Sequence, residues 1–411
     1  MLTVLVATTN HWISNARFVI ALANAGCTVD AICPSGHPLQ VTSALRRAYP
    51  YEGLRPLASF ATAVASTKPD IVLPGDDLAT RHLHKLYFRE KNKASGDASL
   101  YALIERSLGS PESFPIVDSR SAFLQLACQE GIRVPRTQIV RNAEDLEEWV
   151  RQVGLPMVLK AEGTTGGEGV RIVQAMDEAK RALRAVQSPP RLARMAKRVL
   201  LNRDRTLVWP TLVRQRSVVN AQAFVGGREA TSLVACWKGR VLAALHFEVL
   251  TKQDATGPAT VMRLIENSEM ISAAERMVRR LNLSGLHGFD FMLEAQTGSA
   301  YLIEINPRTT QVAHLTLGPG RDLPAALCAA ASGEAIKESL RVTEKDIVAL
   351  FPNEWRRNPA SPFLRTAHHD VPWEEPELIR VCMRRRRNCA SWYAEQKKRI
   401  GALSIDGLRR L

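Results

Sequence analysis

No apolar run in the chain approaches the roughly 18 residues that a membrane-spanning helix needs. The opening stretch Met1-Leu2-Thr3-Val4-Leu5-Val6-Ala7 has no basic region before its apolar residues, so it reads as a first strand and the expected location is cytoplasmic. The seven cysteines include no Cys-x-x-Cys pair, which argues against a disulfide framework and a structural zinc. Cys27, Cys33, Cys128, Cys236 and Cys328 stand in apolar contexts and are expected to be buried small hydrophobes. No Gly-x-Gly-x-x-Gly follows the first strand, which speaks against a nicotinamide cofactor, and no Gly-Lys-Ser/Thr opens a helix as a Walker A loop would. A Ser/His/Asp or Cys/His nucleophile signature is also missing. What remains is a chain of 411 residues, 45% hydrophobic and 23% charged, with room for two or three domains and no sign of large-scale disorder.

Two neighbouring runs carry the strongest pattern. Gly288-Phe289-Asp290-Phe291-Met292-Leu293 and Tyr301-Leu302-Ile303-Glu304-Ile305-Asn306-Pro307-Arg308 alternate with the period of a strand, and Gln296-Thr297-Gly298-Ser299 between them supplies a turn. A turn centred near Thr297 sets Asp290 opposite Glu304 and Met292 opposite Leu302, with Asn306 on the carboxylate face. Two facing carboxylates repel unless a cation lies between them. An edge hairpin with a solvated acidic face is the plain alternative. Two carboxylates and an amide oxygen, with no Cys or His beside them, suit a hard divalent ion, magnesium or else manganese. Magnesium held by few protein oxygens commonly completes its shell with water and nucleotide phosphates, so the site asks for a nucleotide.

The second pattern lies upstream. Pro156-Met157-Val158-Leu159-Lys160-Ala161 and Val170-Arg171-Ile172-Val173 read as strands joined by Glu162-Gly163-Thr164-Thr165-Gly166-Gly167-Glu168-Gly169, a hairpin with a pliable tip. Glycines bring backbone N–H groups close to phosphate oxygens, Thr164 and Thr165 add hydroxyl donors, and Lys160 adds a point charge. A flexible surface turn would carry the same composition.

In this order the two hairpins resemble the ATP-grasp superfamily of carboxylate-amine ligases, in which a glycine-rich lid and a metal-bearing hairpin clasp ATP between two α+β subdomains. Gly131-Ile132-Arg133-Val134-Pro135-Arg136-Thr137 is similar to the segment leading into the first ATP-grasp strand, and Gln222-Ala223-Phe224-Val225-Gly226-Gly227-Arg228-Glu229 to the hinge. The resemblance assigns Asp290, Glu304 and Asn306 to magnesium, Lys160 to the phosphates, and Thr165, Gly166, Gly167 and Gly169 to the lid tip. It places Phe224 and Val225 at the adenine edge, Glu229 on the ribose side, and Arg308 where negative charge develops during transfer. Arg120 stands where a first lid lysine is usual and still offers a permanent charge to phosphate, and Gln222 replaces the usual hinge acid. The implied activity is ATP-dependent joining of a small-molecule carboxylate to an amine through an acyl phosphate, releasing ADP and phosphate. A nucleotide-binding regulatory or scaffold protein without turnover is the alternative from another class.

The fold expected is α/β, with a doubly wound parallel-sheet domain over residues 1–118 and a two-part ATP-grasp domain over 119–335. The lid part would take 119–220 and the metal-bearing part 221–335, followed by an extension over 336–411. In the first domain, Thr3 to Thr8, Val29 to Cys33 and Ile71 to Leu73 read as strands, with helices from Ala16 and from Phe60 between them. Ligands collect at the carboxyl ends of such strands, so Thr9-Asn10-His11 and the loop holding Asp76 and Asp77 are candidates to line a substrate site, unless the two acids only cap the next helix. His246, His287 and His314 read as hydrogen-bonded core or supporting residues, with His314 close enough to the metal run to touch substrate.

The formal net charge is +14, much of it from Arg384-Arg385-Arg386-Arg387 and Lys397-Lys398-Arg399. Arg191, Arg194, Lys197, Arg198, Arg203 and Arg205 form a second basic stretch, read as a solvated helix face or a clamp for an acidic substrate. For the tail the readings are a solvated helix, contact with an anionic membrane and contact with nucleic acid. Trp392, Tyr393, Ile400 and Leu403 give it a partial apolar stripe, so no nucleic-acid partner is expected. Phe351 to Pro376, rich in Pro, Trp and His, reads as an extended arm over the core or a partner surface. The sequence specifies no oligomeric state.

Overall fold

Strand β1 (Thr3–Ala7) buries Val4 and Val6 on one side of a sheet and Leu5 and Ala7 on the other, so both faces need covering. The computed structural model, which describes residues 1–162, 169–188, 217–255, 257–336 and 340–384, covers them with helices. After β1 come α1 (Ser14–Asn24), β2 (Thr28–Cys33), β3 (Leu45–Pro50), α2 (Pro56–Thr67), β4 (Ile71–Pro74), α3 (Asp77–Lys91) and α4 (Ala98–Leu108). The four strands are parallel in the order β3-β2-β1-β4. Residues of α1 pack on the Val4 side, and those of α2, α3 and α4 on the Leu5 side, as expected of a doubly wound unit. Strand β3 was not foreseen, because Leu45-Arg46-Arg47-Ala48 has little apolar character. It earns its edge position partly through Arg46, whose guanidinium grips the buried Asp30 with contacts of 2.9 and 2.7 Å.

Helices α5 (Phe114–Val117) and α6 (Arg120–Gln129) lead into a small antiparallel sheet made of β5 (Thr137–Val140), β6 (Met157–Ala161), β7 (Val170–Val173) and β8 (Val219–Ala223), in the order β5-β8-β6-β7. One face is packed by α7 (Ala143–Val153) and α8 (Met176–Gln187), whose buried stripes include Trp149, Leu146 and Leu183. Trp149 is fully buried in this core. Trp149→Ala is expected to lower the stability of this unit by about 3–5 kcal/mol in equilibrium urea unfolding, and Trp149→Phe by less than half of that. A loss under about 1 kcal/mol for the alanine variant would show that the helices do not rely on this ring.

The third sheet has seven strands in the order β13-β12-β9-β10-β11-β14-β15. Its members are β9 (Gly227–Trp237), β10 (Arg240–Lys252), β11 (Ala259–Leu264), β12 (Gly285–Glu294), β13 (Ala300–Asn306), β14 (Ile347–Ala349) and β15 (His368–His369). Period-two alternation assigns their side chains: Leu233 and Ala235 of β9 meet the core shared with α1, while Val234 and Cys236 meet a second core. Helix α9 (Ser268–Arg280) and α6 fill the second core, and α10 (Leu323–Ser332) joins the first, between α1 and the large sheet. Cys27 and Cys328 are paired as a disulfide linking the loop before β2 to α10, and Cys128 is exposed. Cys27 and Cys328 are buried as expected but their pairing corrects the expectation of unpaired cysteines, and Cys128 corrects the expectation of burial, since apolar neighbours in sequence report neither pairing nor exposure. Cys33 and Cys236 are buried as expected, and burial pushes the Cys33 thiol up to about 12.

The arm after α10 is less extended than its composition suggested. It supplies β14 and β15 to the large sheet, together with α11 (Asn353–Arg357), α12 (Phe363–Thr366) and α13 (Pro376–Arg384). Among the described residues, no helix is long and apolar enough to cross a membrane. The lid-tip residues Gly163 to Glu168, the basic stretch from Arg191 to Arg205 and the tail beyond Arg384 lie outside the described residues.

Candidate functional site

The metal-type hairpin is β12 and β13. One face of β12 runs from Leu286, in the first core, through Gly288 to Asp290 and Met292, which line a cleft. The opposite face carries Phe289, Phe291 and Leu293 into the second core. Across the strand pair, Asp290 faces Glu304 and Gly288 faces Asn306, as expected. Beyond Glu304 the register slips, and Phe291 faces Leu302 while Met292 faces Tyr301. The expected pairing of Met292 with Leu302 is therefore corrected. The slip is a β-bulge at Ile303, and its cause is burial: a regular strand would put Leu302, Glu304 and Asn306 on one face, leaving Leu302 in the cleft. With the bulge, Leu302 is fully buried while Glu304 and Asn306 still face the cleft. Full burial of such a side chain contributes about 1.5–3 kcal/mol, ample reason to break the ladder once. Gly288 leaves room for the partner strand, since a Cβ there would stand 2.9 Å from Thr310 Cγ2 and 3.3 Å from Asn306 Cβ.

The cleft, of about 800 Å³, opens between the small and large sheets and continues to the carboxyl ends of β1 and β4. At its centre, Asp290 accepts hydrogen bonds from Thr231 Oγ1 at 2.8 Å and Asn306 Nδ2 at 2.9 Å. Burial, reinforced by the charge of Glu304, pushes the Asp290 carboxyl up to about 7. Glu304 Oε2 meets Arg120 Nη2 at 2.8 Å. Burial alone would raise the Glu304 pKa, but the charges of Arg120, Lys160 and Arg308 outweigh it and hold the carboxyl below its usual value. Asn306 Oδ1 accepts from Arg308 Nη2 at 3.0 Å, and Arg308 Nε lies 3.0 Å from Asp77 Oδ2. The Trp12 ring covers Arg308, 4.6 Å from guanidinium carbon to ring centre.

Lys160 comes from β6, paired with Val170 on one side and Asn220 on the other, and is buried. Desolvation lowers its pKa to about 8, with Arg120 pushing the same way and Glu304, Asp290 and Glu229 pulling back. Arg120 is the first residue of α6 and reaches both Glu304 and, at 3.4 Å, the Ala161 carbonyl of β6. It thereby ties the small sheet to the carboxylate pair. Gly169 has φ +81, the left-handed conformation that glycine adopts at no steric cost, and Thr165, Gly166 and Gly167 lie outside the described residues. At the hinge, Gln222 is buried and donates to Thr137 Oγ1 at 3.1 Å, while Phe224 and Val225 line the cleft, Phe224 being 42% exposed. Glu229 also lines it and pairs with Lys252 Nζ at 2.6 Å.

The two acids after β4 divide the readings open to them. Asp76 caps α3 through Ala79 N at 2.9 Å and also takes the hydroxyls of Thr8 and Thr9, whereas Asp77 lines the cleft opposite Arg308. His11 lines the cleft as well. His246 bonds Ser232 Oγ at 2.8 Å and His287 bonds the Ser284 carbonyl at 2.9 Å, both as buried supporting groups. His314 lines the cleft with its Nε2 2.8 Å from Asp370. Asp77 was a candidate for the cleft, whereas Thr231 and Trp12 were not singled out from sequence. Only the pairing of β9 with β12, which sets Thr231 beside Asp290, and the closure of the first sheet on the hairpin bring them in. The donors Asp290, Glu304 and Asn306 are all hard oxygens, and a cation among them would offset the burial and the Glu304 repulsion that raise the Asp290 pKa. That donor set fits magnesium.

Comparison with known proteins bears on this geometry. The family described as "Carbamoyl-phosphate synthase L chain, ATP binding domain" matches residues 119–338. The carbamoyl phosphate synthase large chain of Methanosphaerula palustris is 25% identical over 205 residues, covering 50% of this chain and 18% of that relative. The chain thus spans about a fifth of the length of the curated relatives it matches, at 18% and 20% for two of them. The biotin carboxylase–βγ-ATP complex of Campylobacter jejuni shares the fold at TM-score 0.58 and 13% identity, covering 81% of this chain and 72% of that one. An L-amino acid ligase of Bacillus licheniformis does so at TM-score 0.55 and 16% identity, covering 82% and 78%. Since the family match takes in both hairpins and the hinge and extends over more than half of the chain, the protein belongs to the carbamoyl-phosphate synthase L-chain ATP-binding family, within the ATP-grasp superfamily.

Proposed function

We propose that the protein is an ATP- and magnesium-dependent carboxylate-amine ligase that works through an acyl phosphate. The observation that carries this reading is the convergence of Asp290, Glu304 and Asn306 with Lys160, Arg120 and Arg308 in one cleft bounded by the hinge and the glycine hairpin. In the balanced reaction, a carboxylate oxygen of the acid bonds to the γ-phosphorus of ATP as the bond to the ADP oxygen breaks. The amine nitrogen then bonds to the acyl carbon, phosphate leaves, and the amine gives up a proton.

Asp290, Glu304 and Asn306 would hold magnesium, which when bound neutralises phosphate charge and polarises the phosphoryl group. Lys160, protonated below about pH 8, supplies a buried positive charge for the phosphates. Arg120 joins it from the other wall. Phe224 and Val225 offer hinge backbone to the base, with Glu229 toward the ribose. Arg308, held by Asp77 and Asn306, is pre-aimed at the oxygen on which charge accumulates, so little reorganisation is needed at the moment of transfer. The residues work by positioning and charge, in keeping with a reaction that demands no covalent protein nucleophile. The partners are a small-molecule acid and amine.

The test is a screen of carboxylates and amines with MgATP, scored by ADP and phosphate release, with hydroxylamine added to trap an acyl phosphate as a hydroxamate. Acid-dependent ADP release with hydroxamate formation is the expected result. Release of AMP, or turnover indifferent to magnesium, would overturn the mechanism, and nucleotide binding with no turnover for any acid would favour a binding protein instead.

A further inference from the structure

The cleft continues past Arg308 to the first sheet, and that half has an unbalanced charge. Each of its carboxylates is already engaged: Asp77 with Arg308 at 3.0 Å, Asp118 with His84 at 3.0 Å, and Asp370 with Arg17 at 3.4 Å and His314 at 2.8 Å. Arg81 also lines the cleft and has no such counterpart. It lies one helical turn after Asp77 on α3, so it shares the face of that helix that meets Arg308. Its Nε is buried without a hydrogen-bond partner, and no ion pair or hydrogen bond to its guanidinium is formed among the described residues. A guanidinium anchored in a cleft wall with its donors unspent costs desolvation that an anion would repay, and its planar fork suits a carboxylate in two-point contact.

We infer that Arg81 is the anchor for the acid substrate, and that this acid is a monocarboxylate with an apolar body. This rests on the ligase reading above. Arg81 supplies the charge that draws the carboxylate to the hairpin end of the cleft beside Arg308. Trp12, Ile13 and Phe351 supply apolar surface for the remainder of the molecule. An ammonium group on the acid finds no unengaged carboxylate in this half, so an α-amino acid is disfavoured against the same skeleton without the amine.

The experiment uses the full chain and isothermal titration without nucleotide, the probes being phenylacetate, butyrate, phenylacetamide and L-phenylalanine. Phenylacetate or butyrate should bind, phenylacetamide and phenylalanine at least tenfold more weakly than phenylacetate. Arg81→Gln should weaken acid binding at least tenfold and Arg81→Lys recover part of it, while MgADP affinity, titrated separately, changes less than twofold in both variants and so reports an intact fold. Equal acid binding by wild type and Arg81→Gln, an amide or amino acid that binds as well as the acid, or no binding of either acid would each overturn the assignment. Loss of MgADP binding in the wild type would strike the nucleotide reading alone, because the acid titrations contain no nucleotide.

Discussion

Replacing Glu304 by glutamine should lower ADP release by about two to three orders of magnitude, the scale seen when one preorganised electrostatic group is taken from a reacting centre. The substitution keeps the shape of the side chain and removes its charge. Arg120, 2.8 Å away, then loses the carboxylate it pairs with, and Lys160 loses the neighbour that most favours its charged form. The Asp290 carboxyl should move the other way, down from about 7, because after burial the Glu304 charge is the main influence raising it. Two readouts separate a metal role from a structural one. Binding of Mn²⁺ at a temperature where the variant is folded, followed by its electron spin resonance, should weaken at least tenfold, whereas the thermal midpoint without metal should fall, because Arg120 and Lys160 lose the charge that balances them. A variant that binds Mn²⁺ normally and retains ADP release within fivefold of wild type would remove the hairpin from the mechanism.

Replacing Lys160 by methionine should cost about a hundredfold or more in kcat/KM for ATP, again the scale for loss of one charge from a desolvated site. Its pH profile is the sharper test. Desolvation brings the Lys160 pKa down from 10.5 to about 8 in the free protein, so the charged form is lost earlier than for an exposed lysine. kcat/KM, which reports the free enzyme, should therefore fall as pH rises through about 8, by tenfold per unit thereafter. Lys160→Arg should flatten that limb, because guanidinium stays protonated. For stability the sign is opposite. Between about 8 and 10.5 the unfolded chain binds the proton that the folded chain has shed, so the penalty for burying the charge, complete below 8, is relieved as pH rises through that window. An alkaline limb unchanged in Lys160→Arg would assign it to another group.

Both variants act on residues that the sequence offered directly, and the reason is physical. Asp290, Glu304 and Asn306 lie on two short strands joined by one turn, so alternation and a turn position were enough to bring them together. Even there the bulge went unread, although adjacent Leu302 and Ile303 break the alternation where it occurs. Lys160 was legible as a charge at the end of an apolar strand. Arg81, Trp12 and Asp370 were not legible as cleft residues, since no local period reports that α3 and the loop after β1, far earlier in the chain, and the stretch before α13, later in it, all close on the hairpin, as when Thr80 bonds the Pro307 carbonyl across a separation of 227. The seven-stranded sheet shows the same limit: β12 and β13 follow from alternation, β9 to β11 were not singled out, and β14 and β15 are two or three residues long and exist only because their neighbours hold them. In the parallel first sheet β1, β2 and β4 were read because they are nearly continuous apolar runs, and β3 was missed because it is not one.

Asp370 has a consequence for how such a protein could change its trade. It joins Arg17, His314 and the Phe351 N–H in one buried knot, in which Arg17, Phe351 and Asp370 come from the two sides of the segment that the family shares and His314 from within it. On the reading proposed above, the portion that activates phosphate and the portion that selects the acid are encoded largely in different stretches of the gene. On that reading, drift in the outer stretches would retarget the protein toward a new acid while the phosphate-handling segment stayed unaltered.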